Sequence, residues 1–123
     1  MQQAEKFNAE QSHLVFNEAE MMDLMKAIKT KKHSLNSPAE VEPLYHKAVE
    51  TLRKVCSQTK QERIYTKIVS TYCQPDLENT FKLLIRVKMA LYARKCIMAV
   101  LTDLKTFETL ASDIKSIVDK YHD

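Results

Sequence analysis

Apolar residues recur at helical spacing along the chain, in blocks that predict four or five helices. In the first block Phe7, Gln11, Leu14, Met21, Met22, Leu24, Met25 and Ile28 fall within one arc at 100° per residue, which predicts a helix from about residue 4 to residue 32. It closes on Lys26, Lys29, Lys31, Lys32 and His33, where cations suit the negative end of the helix dipole. Val15 and Phe16 lie at or beyond the margin of that arc and are candidates for an exposed apolar patch.

The stretch SLNSPAEVEP is the clearest punctuation. Ser37, Pro38 and Glu40 have the order of a capping box, with proline at the first helical position. Pro43 would clash one turn back in an uninterrupted helix, so the expectation is a short turn at 38–42 and a helix proper from about 43. Its core face is Tyr45, Ala48, Val49, Leu52, Val55 and Cys56. Thr59 and Glu62 suggest a second capping box, and the apolar phase shifts there to Ile64, Tyr65, Ile68, Val69 and Tyr72, predicting a helix from near 60. Pro75 ends it, and Asp76 is placed to cap the next.

Residues 81–101, FKLLIRVKMALYARKCIMAVL, are apolar but for five cations. On a helical wheel they show two apolar flanks. Phe81, Ile85, Met89, Tyr92 and Cys96 lie on one; Leu83, Leu84, Val87, Leu91, Met98 and Leu101 lie on the other. Lys88 and Lys95 fall between the flanks, and Lys82 and Arg86 mark a solvent side. A helix apolar on two flanks packs neighbours on both, which makes this the central helix. The final block, 104–121, places Leu104, Phe107, Leu110, Ala111, Ile114, Ile117, Val118 and Tyr121 on one face. A break at Thr102–Asp103 is expected, because a continuous helix over 77–121 would span about 67 Å.

Composition narrows the function. With no glycine among 123 residues, the Walker A loop, the dinucleotide GxGxxG, the GxSxG elbow and a regular EF-hand loop are all excluded. Three prolines and no glycine also leave little for hairpin turns, which favours an all-α fold. Cys56, Cys73 and Cys96 form an odd set without CxxC spacing, the pattern of reduced thiols in an intracellular protein. The N-terminus has no apolar signal-peptide core, and the longest apolar run is broken by Arg86, Lys88, Arg94 and Lys95, so no membrane span is expected. The abrupt end in KYHD after a strong helix suggests one domain, residues 1–123, cut from a longer protein.

Catalytic and ligand motifs are missing. His13, His33, His46 and His122 form no HExxH, HxxxH or Cys-His zinc set, no Ser/His/Asp or Cys/His pattern is recognisable, and the two Glu-x-x-His motifs that di-iron bundles need are not both present. No enzyme activity, metal or cofactor is expected. Charge is more informative: residues 26–67 carry ten cations against four anions, while residues 1–25 and 102–123 are both acidic. Acidic terminal helices packing beside a basic middle account for this, and so does a basic face for an acidic partner.

The segment SPAEVEPLYHKAVETLRKV resembles helices of tetratricopeptide-like and microtubule-interacting-and-transport-like hairpins. It covers under a fifth of the chain and no 34-residue repeat follows, so it carries no residue over and assigns no family.

The sequence therefore predicts an all-α, up-and-down bundle of four to five antiparallel helices without a sheet. The function expected is a non-catalytic protein–protein interaction module of a larger intracellular regulatory or scaffolding protein, nuclear or cytoplasmic. It would dock a partner helix or a short acidic-apolar motif, or another copy of itself. Lys88 and Lys95 are the candidate rungs of the docking groove, with Tyr92 and Arg94 beside them and Val15 and Phe16 as a second patch. The alternative is a nucleic-acid-associated domain using the basic centre, recognisable by steeply salt-dependent affinity. A secreted helical cytokine with one disulfide is the third.

Overall fold

The computed structural model describes residues 17–31, 38–58, 61–92 and 97–120, the side chains of Pro38, Gln58, Tyr92 and 97–103 excepted. These residues form five helices and no strand: α1 (Glu18–Thr30), α2 (Pro38–Gln58), α3 (Glu62–Thr71), α4 (Leu77–Tyr92) and α5 (Ile97–Lys120). The fold is an all-α bundle, as its sequence predicts. The α2–α4 interface is the most extensive; α4 also packs on α1 and α5, and α2 also packs on α3 and α5.

Helix α1 starts later than its periodicity suggests. Asn17 is extended (φ −77°, ψ −178°), and its Oδ1 accepts the Glu20 N–H at 3.0 Å. A capped, extended residue cannot lie inside a helix, so no single helix runs from 4 to 32. Glu18 and Glu20 then meet the positive end of the dipole. Met21, Leu24 and Ile28 are buried, whereas Met22, expected in the same arc, is 58% exposed. It lies 100° round from Met21, beyond the reach of α4 and α5. Phe7, Gln11 and Leu14 lie outside the described residues.

Helix α2 corrects the proline reading: it is continuous from Pro38, with Pro43 inside it. Pro43 and Ala39 are both exposed, so the Ala39 carbonyl, which loses its i+4 donor, faces water. Val41, 1% exposed, and Tyr45, 7%, anchor this turn in the core, and the Lys120 ammonium donates to Glu40 Oε1 at 2.7 Å from the end of α5. Burying Val41 alone is worth about 1.5–3 kcal/mol, enough to offset most of a mid-helix proline. Ser37 lies outside the described residues.

Helix α3 begins at Glu62 with Gln61 as its cap, whose side chain makes no capping hydrogen bond; Thr59 of the expected capping box lies outside the described residues. Asp76 behaves as expected. Its Oδ1 accepts the Asn79 N–H at 2.7 Å, and α4 follows at once. The change from α4 to α5 falls between Tyr92 and Ile97, so the expected helix over 81–101 is divided, and Thr102–Asp103 lie inside α5. Threonine and aspartate cost only some tenths of a kcal/mol each in a helix interior, too little to stop one so well anchored. Leu104, Phe107, Leu110, Ala111, Ile114 and Val118 are all buried, and Ile117 packs at their edge. Two buried hydroxyls are satisfied locally, Thr51 to the Lys47 carbonyl and Thr80 to the Asp76 carbonyl.

Candidate protein-docking face

Helix α4 has one buried arc and one open arc. Leu77, Thr80, Phe81, Leu83, Leu84, Val87 and Leu91 are buried and span about 160° of the wheel at 100° per residue. The flank written Phe81–Ile85–Met89 is graded rather than buried: Phe81 is fully enclosed, Ile85 partly so, and Met89 is 56% exposed. The two-flank reading is corrected accordingly. The core of the bundle lies on one broad side, and the end of the Phe81 row reaches solvent.

Lys82, Ile85, Arg86 and Met89 share an arc of about 100° on the open side. Ile85–Met89 and Lys82–Arg86 are each i,i+4 rows, so an apolar ridge runs beside a cationic one. Lys82 is held by Glu78 Oε2 at 3.3 Å and lies 5.9 Å from the centre of the Tyr72 ring, just past the end of α3. That contact joins the α4 face to α3, whose Ile64 is 49% exposed and stands on the same flank as exposed Lys67. The signal in the sequence was a methionine and an isoleucine in phase with the two marked solvent-side cations.

Of the residues singled out from sequence, Lys88 is half-buried on α4, within the buried arc between Leu77 and Phe81. Tyr92 is the last residue of α4. Val15, Phe16, Arg94 and Lys95 lie outside the described residues, as does the side chain of Tyr92.

A second feature is an open depression between α2 and α5, lined by Lys47, Glu50, Thr51, Arg53, Lys54, Ser57 and Thr106. Its charge is mixed, since Arg53 pairs with Glu50 at 3.2 Å. Among the described residues no group of three or more His, Cys, Asp or Glu could hold a metal ion, and no helix is long and apolar enough to cross a membrane. Cys56 is buried and Cys73 exposed, neither in a disulfide. Burial pushes the Cys56 thiol pKa up. Burial likewise raises Tyr45, with smaller additions from Cys73, Asp76 and Tyr65.

Compared with known proteins, the chain matches no family model, no curated protein and no solved structure.

Proposed function

We propose that this protein is a non-catalytic interaction module of a larger intracellular regulatory or scaffolding protein, and that it docks an acidic amphipathic helix of a partner on the open arc of α4. The observation that carries this is Met89, a large apolar side chain 56% exposed on a helix that packs on α1, α2 and α5, in phase with exposed Arg86. Covering such a side chain fully is worth about 1.5–3 kcal/mol. Methionine adapts its shape to a partner at low cost. The cationic row beside it selects acidic residues one ridge over from the partner's apolar anchors.

The test uses two helical peptides of one apolar pattern, one with glutamates and one with lysines beside the anchors, titrated against the full chain by fluorescence anisotropy. The acidic peptide is expected to bind, and Met89→Asp with Arg86→Glu to weaken it at least tenfold while circular dichroism stays unchanged. Equal binding of both peptides, or an unaffected double variant, overturns the proposal. Light scattering of the unliganded chain covers the remaining occupant: a salt-stable dimer dispersed by Met89→Asp assigns the face to a second copy instead.

The nucleic-acid reading rests on Lys47, Arg53 and Lys54 around the α2–α5 depression. Glu50 among them weakens the local field, and affinity for an oligonucleotide that falls steeply with salt and is lost on Lys47→Glu would favour it.

A further inference from the structure

Among the described helices α3 alone has no buried residue. Its one substantial neighbour is α2. The two are pinned at both ends: the Gln61 N–H donates to the Cys56 carbonyl at 2.8 Å, and the Tyr45 hydroxyl donates to the Tyr72 carbonyl at 2.8 Å. Gln61 to Tyr72 and Cys56 to Tyr45 are equal lengths of chain run in opposite senses, so the helices are antiparallel and in constant register. Val49 then lies level with Ile68, and Leu52 with Tyr65. All but Leu52 are partly buried side chains at the margin of the core.

The rest of α2 faces α4 and α5 and does not depend on α3. Lifting α3 would break the Tyr45–Tyr72 hydrogen bond, the Lys82–Tyr72 contact and several half-buried contacts, while the enclosed residues of α2 that face α4 and α5, and those of α4 and α5 themselves, keep their packing. Such a helix belongs at the low end of the local-opening scale.

We propose that α3 is a displaceable lid: it lifts from α2 as a unit, and the strip it uncovers, Tyr45, Val49 and Cys56, accepts an amphipathic helix with α3's own spacing. That spacing, apolar at Ile64, Tyr65, Ile68, Val69 and Tyr72, is the description of the occupant, because it is the pattern the strip already holds. The strip spans about 16 Å, three helical turns. The opening stands independently of the docking face on α4.

Cys56, 1% exposed and joined through its carbonyl to the Gln61 N–H at the start of α3, reports the opening. In a Cys73→Ser, Cys96→Ser background, thiol labelling of Cys56 is followed against urea, with global unfolding measured in parallel. Labelling is expected to occur by an opening much less urea-dependent than global unfolding. Tyr45→Phe should speed it about fivefold, the Boltzmann factor of one average hydrogen bond. Ile68→Asp should expose Cys56 while α2, α4 and α5 amides stay protected from hydrogen exchange. A peptide of residues 61–72 at millimolar concentration should then restore protection, and the same peptide with Ile68→Asp should not. Labelling that tracks global unfolding overturns the lid; an opening that the peptide never closes overturns the helix-accepting strip.

Discussion

Ile114 is fully enclosed on α5, and Ile114→Asp separates burial from every other cause of instability. Losing the isoleucine costs about 2–3 kcal/mol, and leaving a carboxyl hydroxyl without a partner costs about 1–3 more. The folded site accepts only the protonated acid. At pH 7 protonation against an unfolded pKa near 3.9 costs about 4 kcal/mol, at about 1.4 per pH unit. The total, about 7–10 kcal/mol, is comparable with the roughly 6–18 kcal/mol available to a chain of this length. Ile114→Asp should therefore be largely unfolded at pH 7. Ile114→Asn has the same shape without the protonation cost and should retain about 4 kcal/mol more. The folded pKa of the new acid is raised, so its penalty is absent below about pH 4 and grows as pH rises. Urea titrations followed by circular dichroism at pH 7 and pH 4 should show the two variants apart at the first and together at the second. A wild-type midpoint for Ile114→Asp at pH 7, or a gap between the variants that ignores pH, refutes the core assignment.

Asp76→Ala removes the acceptor of the Asn79 N–H and should lower stability by about 1 kcal/mol, read as a urea midpoint shifted at constant slope. Tyr45 and Cys56 both have raised pKa values in the folded protein, so the folded state holds protons that the unfolded chain releases. Stability should be intact below the ordinary thiol and phenol range, roughly pH 8.5 to 10, and fall as pH rises through it and beyond. Urea midpoints at pH 8 and pH 10.5 check this, and Tyr45→Phe with Cys56→Ala should flatten the decline.

The sequence made the strongest one-sided helices legible. On α5 the apolar residues from Leu104 to Val118 share one face and the positions between them are polar, so periodicity alone assigned the buried set. Tyr45 to Cys56 on α2 were equally clear. Periodicity failed where the deciding fact was a neighbour. It marked Ile64 and Met89 as apolar and in phase, but phase does not say whether another helix covers that side. At Pro43 a local rule lost to tertiary anchoring by Val41 and Tyr45. At Asn17 the apolar phase continued past a residue whose side chain ends the helix, and the Asn17–Glu20 capping pair was the overlooked signal. The docking face is half legible for the same reason: the pattern puts Lys82 and Arg86 on the solvent side and Ile85 on a packed flank, but phase alone extends that flank to Met89, which is exposed.

The described helix ends carry a consequence of the glycine-free composition. Both C-caps, Lys31 at φ −101° and Tyr72 at φ −110°, turn the chain at negative φ, so neither reversal calls on the left-handed conformations that glycine enters freely. A chain without glycine explores fewer backbone states when unfolded, and each residue that replaces a glycine without strain is worth about 0.4–1 kcal/mol through that state alone. Part of this bundle's stability therefore resides in no contact: it lies in the narrowness of the denatured ensemble. Glycine placed at an exposed helical position such as Lys67 or Arg86 weakens the fold by widening that ensemble, whatever the side chain itself was touching.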